Sequence, residues 1–99
     1  MKHKNLKNYQ INGHLGASKT IFPTYKQGGE VSYNMGFEIG VYRLVDLKLQ
    51  INIVVFDIVK QGYICEKFII KAENRVYCYK LILKFKKIGV QNENTRSNS

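Results

Sequence analysis

The stretch 30–44 constrains the fold more than any other part of the chain, because apolar residues occupy every second position from Val31 to Val41. A repeat of two places alternate side chains on opposite faces of an extended backbone, so the pattern predicts a half-buried β-strand. At about 3.3 Å per residue, an unbroken strand of this length would measure roughly 50 Å, several times the usual length. We therefore expect the strand to bend. Gly36 and Gly40 stand on its polar face, where a missing side chain permits a kink or a bulge.

Residues 47–59 form the second long apolar segment, in which apolar and polar residues alternate before the segment becomes apolar throughout. The pattern predicts a second strand that is covered on both faces in its later half. A hairpin connection at 60–62 would lead to a strand over 63–71. A last strand is predicted over 76–88, because tyrosines and leucines alternate there with lysines.

Shorter strand signals precede these segments. Tyr9 to Ile11 can form a short strand that ends at the Asn12-Gly13 turn pair, and Pro23 restricts its surroundings to a sheet edge or a loop. No helical period of useful length is found. Consecutive strands with short connections predict an all-β fold, namely a small antiparallel meander that a short irregular N-terminal segment completes into a sandwich or a partly open barrel.

The chain length and the polar ends define the expected domain organisation. The 99 residues suffice for one hydrophobic core but not for a second folded unit. We expect a flexible basic arm over 1–8, a single β domain over 9–90 and a disordered polar tail over 91–99. No apolar run approaches the roughly 18 residues that a membrane span needs, so no span is expected.

The charge balance indicates the class of partner. The net charge is +9, and lysine supplies most of the positive charge, since only Arg43, Arg75 and Arg96 are arginines. Such a surplus favours a polyanion, whether nucleic acid, an acidic protein surface or a membrane headgroup layer. The shortage of arginine argues against base-specific recognition, which relies on the bidentate guanidinium. The lysine bias can alternatively reflect an AT-rich gene.

The last two predicted strands bring lysines together. If paired residue numbers sum to 147, Lys67 lies opposite Lys80 and Tyr63 opposite Lys84, and the large apolar side chains share the other face. Like charges across a ladder repel, and a bound anion would neutralise them. The alternative is a solvated lysine face that protects the sheet against aggregation. The predicted anion-binding residues are Lys48, Tyr63, Lys67, Lys71, Lys80, Lys84 and Lys86.

The aromatic residues of the last strand do not favour a base-stacking site. Tyr77, Tyr79 and Phe85 alternate with the lysines, so rings and charges project from opposite faces. Base stacking requires rings among the charges. Nucleic-acid binding would therefore depend on the phosphate backbone, with weak specificity and strong sensitivity to salt.

Apolar side chains also fall on the predicted lysine face. They would form a patch too large to face water in a monomer, so either the segment 21–25 covers it or another subunit does. The predicted function is a small non-enzymatic module that binds an acidic partner, with nucleic acid favoured. The alternative is an interaction or assembly protein, such as an inhibitor or a structural subunit of a larger particle. This alternative extends to a homo-oligomer of the chain. The residues of the predicted protein interface are Val54, Phe56, Ile69 and Ile82.

Catalysis, cofactors and metal binding are not predicted. His3 and His14 lie in the least structured part of the chain, and their spacing from the two cysteines fits no metal site. Asp57 and Glu66 would face each other only across a two-residue turn, and a three-residue turn would separate them.

The two cysteines indicate the redox environment. Cys65 and Cys78 are four residues out of step in the predicted ladder, which is too far for a disulfide. Two free thiols favour a reducing compartment, the cytoplasm or an equivalent.

Overall fold

The structure, a computed structural model, describes residues 6–37, 41–72 and 79–89. Seven elements follow one another in these ranges, with short 3₁₀ turns at His14–Gly16 and Gln27–Gly29. The elements are β1 (Tyr9–Asn12), β2 (Ser18–Ile21), β3 (Thr24–Lys26), β4 (Glu30–Phe37), α1 (Leu44–Lys60), β5 (Tyr63–Ala72) and β6 (Tyr79–Lys87).

Antiparallel strands dominate the described residues. β1 and β2 form a two-stranded hairpin, and the other four strands form a sheet in the order β3-β4-β6-β5. The prediction of an all-β class is thus confirmed in its main content, a small domain made mostly of antiparallel strands. One segment departs from it. Residues 44–60 form a helix, so the predicted strand over 47–59 is wrong, as is the expectation that the chain contains no helix.

The helix α1 forms because its apolar residues satisfy a helical period as well as an alternating one. Leu47, Ile51, Val54 and Ile58 recur at intervals of three and four residues, and all four are buried. No glycine or proline interrupts these 17 residues, a length typical of helices and too long for most strands. The sheet-facing stripe therefore determines the secondary structure.

The segment 60–62 ends this helix and is not a hairpin. Gly62 has a φ of 98°, and its N–H donates to the carbonyl of Val59 at 3.0 Å. A left-handed residue after the last turn is the usual way to terminate a helix, and glycine adopts it without steric cost. The chain then enters β5, which lies at the edge of the sheet.

β6 is a central strand of the larger sheet, with β4 on one side and β5 on the other. Its pairing with β5 differs from the predicted register. From Lys67 to Ala72, paired residue numbers sum to 151, as in Lys67 with Lys84, and the register shifts by one residue across a bulge between Cys65 and Lys67. The error is four residues, an even number, so side chains beyond the bulge keep the faces that the sequence predicted.

The core lies between the inner face of this sheet and a second layer made of α1 and the β1-β2 hairpin. Tyr33, Leu81, Leu83 and Phe85 project from the sheet and are completely buried. α1 contacts both β5 and β1, and β2 contacts β4. Ile21 of the hairpin is also completely buried. The hairpin and the helix therefore cover the same side of the sheet.

Hydrogen bonds that involve tyrosine hydroxyls attach the start of the described chain to the core. The buried Leu6 donates its N–H to the Tyr25 hydroxyl at 2.6 Å, and the Tyr33 hydroxyl donates to the carbonyl of Lys7 at 2.9 Å. The folded region thus begins at least three residues before the predicted boundary at Tyr9. The rest of the predicted basic arm, the residues around Gly40, those from 73 to 78 and the predicted tail lie outside the described residues.

We expect that Tyr9→Phe weakens the attachment of the hairpin to the helix. The Tyr9 hydroxyl donates to Oδ2 of Asp57 at 2.5 Å, and a hydrogen bond to a charged group contributes about 1.5–3 kcal/mol. Urea unfolding should show a loss of about 1–2 kcal/mol, since Gln61 also donates to this carboxylate. The control is a double-mutant cycle with Asp57→Ala. If Tyr9→Phe costs the same with and without Asp57, this hydrogen bond does not stabilise the fold.

Stability should decrease at alkaline pH. Burial raises the pKa of Tyr9, Tyr33 and Tyr63 above the usual value of 10.0, and the Asp57 carboxylate raises that of Tyr9 further. As the pH passes 10, the unfolded chain releases protons that the folded chain retains, so the stabilisation present below this pH is lost. In urea unfolding measured from pH 8 to 11, the midpoint should be constant up to about pH 10 and should fall above it. A decline that starts below pH 9, or none by pH 11, would contradict this assignment.

Candidate functional site

The face of the four-stranded sheet opposite α1 and the hairpin is not covered by any element that the structure describes. Side chains on β6 alternate strictly, so the burial of Leu81, Leu83 and Phe85 directs Lys80, Lys84 and Lys86 to this outer face. Residues of the neighbouring strands share the face of their partners on β6, and the alternation along β5 is interrupted only at its bulge. We call the outer surface of β3 to β6 the lysine face. Its lysines are Lys26, Lys67, Lys71, Lys80, Lys84 and Lys86.

The strand register arranges these lysines in cross-strand pairs. Lys67 is directly opposite Lys84, and Lys71 is directly opposite Lys80. Ile69 and Ile82 face each other between the two lysine pairs. Because the pairs are four residues apart along each strand, they are separated by about 13 Å. The lysine face therefore carries two rows of positive charge with an apolar pair between them.

One carboxylate sits among these charges. Oε2 of Glu30 is 3.0 Å from Nζ of Lys84. The pKa of Glu30 is lowered because Lys84 donates a hydrogen bond to it, and attraction to Lys26 and Lys86 lowers it further. Three lysines therefore share a single negative charge at this end of the lysine face. The charge surplus remains after the ion pair has formed.

The β4 part of the lysine face is low and polar. Ser32, Asn34 and Gly36 project outward there, opposite Lys84, Ile82 and Lys80 of β6, and Nδ2 of Asn34 donates to Oγ of Ser32 at 3.4 Å. A Cβ added at Gly36 would meet nothing closer than a backbone oxygen at 4.0 Å. β4 pairs with β6 through Gly36 without a register shift, so no bulge interrupts the ladder at this glycine. The lysines of β5 and β6 thus lie beside a strip of small polar residues on β4.

The structure brings together five of the predicted anion-binding residues and separates two others. Tyr63 is 7% exposed on the inner face, and Nζ of Lys87 is 4.8 Å from its ring centre. Lys48 lies on α1, in the opposite layer. The prediction that Tyr63 and Lys48 belong to the same surface as the other five residues is therefore wrong. Sequence reasoning also missed Lys26, which the pairing of β3 with β4 places opposite Glu30.

The predicted protein interface is divided between three places. Val54 is buried against the sheet, Phe56 is 64% exposed on the far side of α1, and only Ile69 and Ile82 lie on the lysine face. The four residues were expected on one surface because residues 47–59 were assigned to the sheet. The segment around Ile21 does not cover this surface either, since Ile21 is buried on the inner side.

The remaining chemical candidates are not combined into a site. Asp57 is on α1, bonded to Tyr9, while Glu66 is in the bulge of β5, so the carboxylate pair considered from the sequence is absent. Burial raises the pKa of the Cys65 thiol, and this cysteine is free. Cys78 lies outside the described residues. Within the described ranges, no group of His, Cys, Asp and Glu residues is arranged to hold a metal ion.

Comparison with known proteins identifies no family for this chain. No family model, no curated protein and no solved structure matches the chain. In the described part of the chain, no helix is long and apolar enough to cross a membrane.

Lys71→Gln should stabilise the fold. Lys71 and Lys80 are directly opposite on an exposed face, and like charges in this position repel by a few tenths of a kcal/mol. We expect the melting temperature to rise by about 1–3 °C at low salt and by less at high salt, where the repulsion is screened. Lys48→Gln, which removes the same charge from the exposed side of α1, is the matched control. An equal rise in both variants would indicate a general effect of net charge.

Proposed function

We propose that the protein is a non-enzymatic nucleic-acid-binding module that holds the phosphate backbone on the lysine face. The single observation that supports this function best is the concentration of six lysines on one sheet face that no described element covers. In the free protein, Lys71 repels Lys80 and Lys67 repels Lys84, and a bound anion would relieve this repulsion. Phosphates would neutralise both pairs and release their own counterions.

The dimensions of the lysine face fit the charge density of a duplex. From Lys80 to Lys86 the face extends about 20 Å along β6. Duplex DNA carries one phosphate charge per 1.7 Å of its axis, so about 12 phosphates span this length and about half of them face the protein. Each of the lysines therefore has a phosphate within reach. Lysine suits this task because it acts as a point charge and does not require a fixed orientation.

The placement of aromatic rings favours backbone binding over base recognition. At the paired positions of the described sheet, rings project to the inner face, as Tyr33 and Phe85 do. No ring is therefore available there for stacking on bases. We infer that binding depends little on sequence and that it weakens steeply with salt.

Ile69 and Ile82 favour a second candidate, an acidic protein surface. They are half-buried between the lysine pairs, and phosphates would make no use of them. A protein partner would bury them behind a rim of ion pairs. The two candidates differ in their response to salt, because apolar contacts persist where phosphate contacts are lost.

The function also implies a setting. Nucleic acid and free thiols occur together in reducing compartments such as the cytoplasm, and the free Cys65 supports this placement. We propose no cofactor and no reaction.

Lys67→Gln/Lys71→Gln should weaken nucleic-acid binding and its salt dependence together. If about five lysines contact phosphates, the logarithm of the binding constant for duplex DNA should fall with the logarithm of salt concentration with a slope of about −4 to −5. The double variant should reduce the slope by about 2. Fluorescence anisotropy from 50 to 200 mM salt, with duplex and single-stranded oligonucleotides of mixed sequence, measures both quantities.

The matched control is Lys19→Gln/Lys48→Gln, which removes one charge from β2 and one from α1, both in the layer opposite the lysine face. We expect its slope to stay within about half a unit of the unsubstituted chain. Equal losses in the two variants would show that net charge and not the lysine face attracts the ligand. Absence of binding at 50 mM salt would exclude nucleic acid as the partner.

A further inference from the structure

The helix α1 carries a second apolar stripe on the side that faces away from the sheet. Val45, Leu49, Phe56 and Val59 are 68%, 60%, 64% and 41% exposed, and the adjoining Ile53 is 69% exposed. Scattered apolar residues are normal on a surface, but five on one helix form a continuous strip that monomers rarely leave in water. No element that the structure describes covers this strip. We call these five residues the outer stripe.

The spacing of the outer stripe is that of a helix that packs against another helix. Val45, Leu49, Asn52, Phe56 and Val59 follow one another at intervals of four, three, four and three residues. Such intervals place every side chain on one seam and are typical of paired helices. Asn52, the only polar member, stands at the middle of α1. A single central polar residue in such a seam fixes the register of the pair.

The charged residues beside the outer stripe are placed so that two antiparallel copies of the helix bring opposite charges together. Asp46, Ile53 and Lys60 are spaced by seven residues, so they lie along one edge of the stripe. The acidic residue is in the first turn and the basic residue in the last turn. If two copies of α1 pack antiparallel, Asp46 of each copy lies beside Lys60 of the other, and the two helix dipoles also oppose each other. In a parallel pair, Asp46 of one copy and Lys60 of the other would lie at opposite ends of the helices, roughly 20 Å apart, and could form no ion pair.

We propose that α1 is a dimer interface, in which the outer stripe binds the outer stripe of a second copy of this chain in an antiparallel, two-fold arrangement. A two-fold axis near Asn52 and Ile53 repeats both ion pairs and brings the two Ile53 side chains together. The lysine faces lie in the opposite layer and point outward from the dimer. If the lysine face binds nucleic acid as proposed above, the dimer holds two segments at once.

The size of the interface sets the expected affinity. A helix of 17 residues is about 25 Å long, so two of them bury less surface than a standard stable interface. The dimer should therefore dissociate at low concentration, with a dissociation constant on the order of 10 μM. Detection requires a concentration series.

Sedimentation equilibrium of the full chain, without nucleic acid, from about 1 to 500 μM tests the interface. The mass should rise from that of one chain, 11.5 kDa, to twice this value. Leu49→Ser/Phe56→Ser should raise the dissociation constant more than about a hundredfold. The matched control is Phe22→Ser/Ile64→Ser, since these side chains are 55% and 53% exposed outside the helix; it should dimerise normally. A monomeric chain at 500 μM, or equal effects of the two double variants, would overturn the interface.

A charge exchange tests the antiparallel orientation. Asp46→Lys places two lysines together at each end of the pair, so the dissociation constant should rise several-fold at low salt. Asp46→Lys/Lys60→Asp restores opposite charges and should recover most of the loss. Circular dichroism shows whether each variant keeps its helix, because Asp46 also binds Arg43 at 3.2 Å. Failure of the exchange to recover affinity in variants with full helix content would overturn the antiparallel arrangement.

Because this experiment contains no nucleic acid, its outcome is independent of the proposed function. Salt separates the two surfaces further. Dimerisation should persist above 200 mM salt, where phosphate binding is lost.

Discussion

The strict alternation along β6 is the constraint on which the rest of the structure depends. Leu81, Leu83 and Phe85 are completely buried, and β6 lies between two other strands. A slip of one residue would exchange the faces of every side chain on the strand. The cost of exposing these three side chains therefore holds the intervening lysines on the outer face, even where they meet other lysines. The positive surface follows from the same free energy that forms the core.

This dependence explains how much could be predicted from the sequence. Strict alternation identified β4, β5 and β6, and it assigned Lys67, Lys80 and their neighbours to the face opposite the core. The pairing register was wrong by four residues, because an alternating pattern specifies the face of a side chain but not how far one strand is displaced along another. The bulge at β5 leaves no signal in the pattern either. The composition of the lysine face was therefore predictable, whereas its pairs were not.

The helix was missed for a reason that also bears on its function. α1 is apolar on two sides, with Leu47 and Ile51 toward the sheet and Leu49 and Ile53 toward solvent. Taken together, these two stripes imitate the alternation of a strand. A helix with one apolar side would have shown its period clearly, so the misleading pattern is itself a consequence of the outer stripe. The length of the segment without glycine or proline was the signal that could have corrected the interpretation.

The two surfaces are compatible because they lie on opposite layers. Two copies that each carry a strong positive charge would repel if their lysine faces were adjacent. In a dimer formed through α1, a helix–helix layer and two helix–sheet layers separate these faces, each roughly 10 Å thick. The resulting distance of about 30 Å exceeds the screening length of about 8 Å at physiological ionic strength several-fold. The charge that would prevent the sheets from associating with each other therefore has little effect on association through the helices. The fold thus allows one side of a highly basic chain to bind polyanions while the other side binds its own copy.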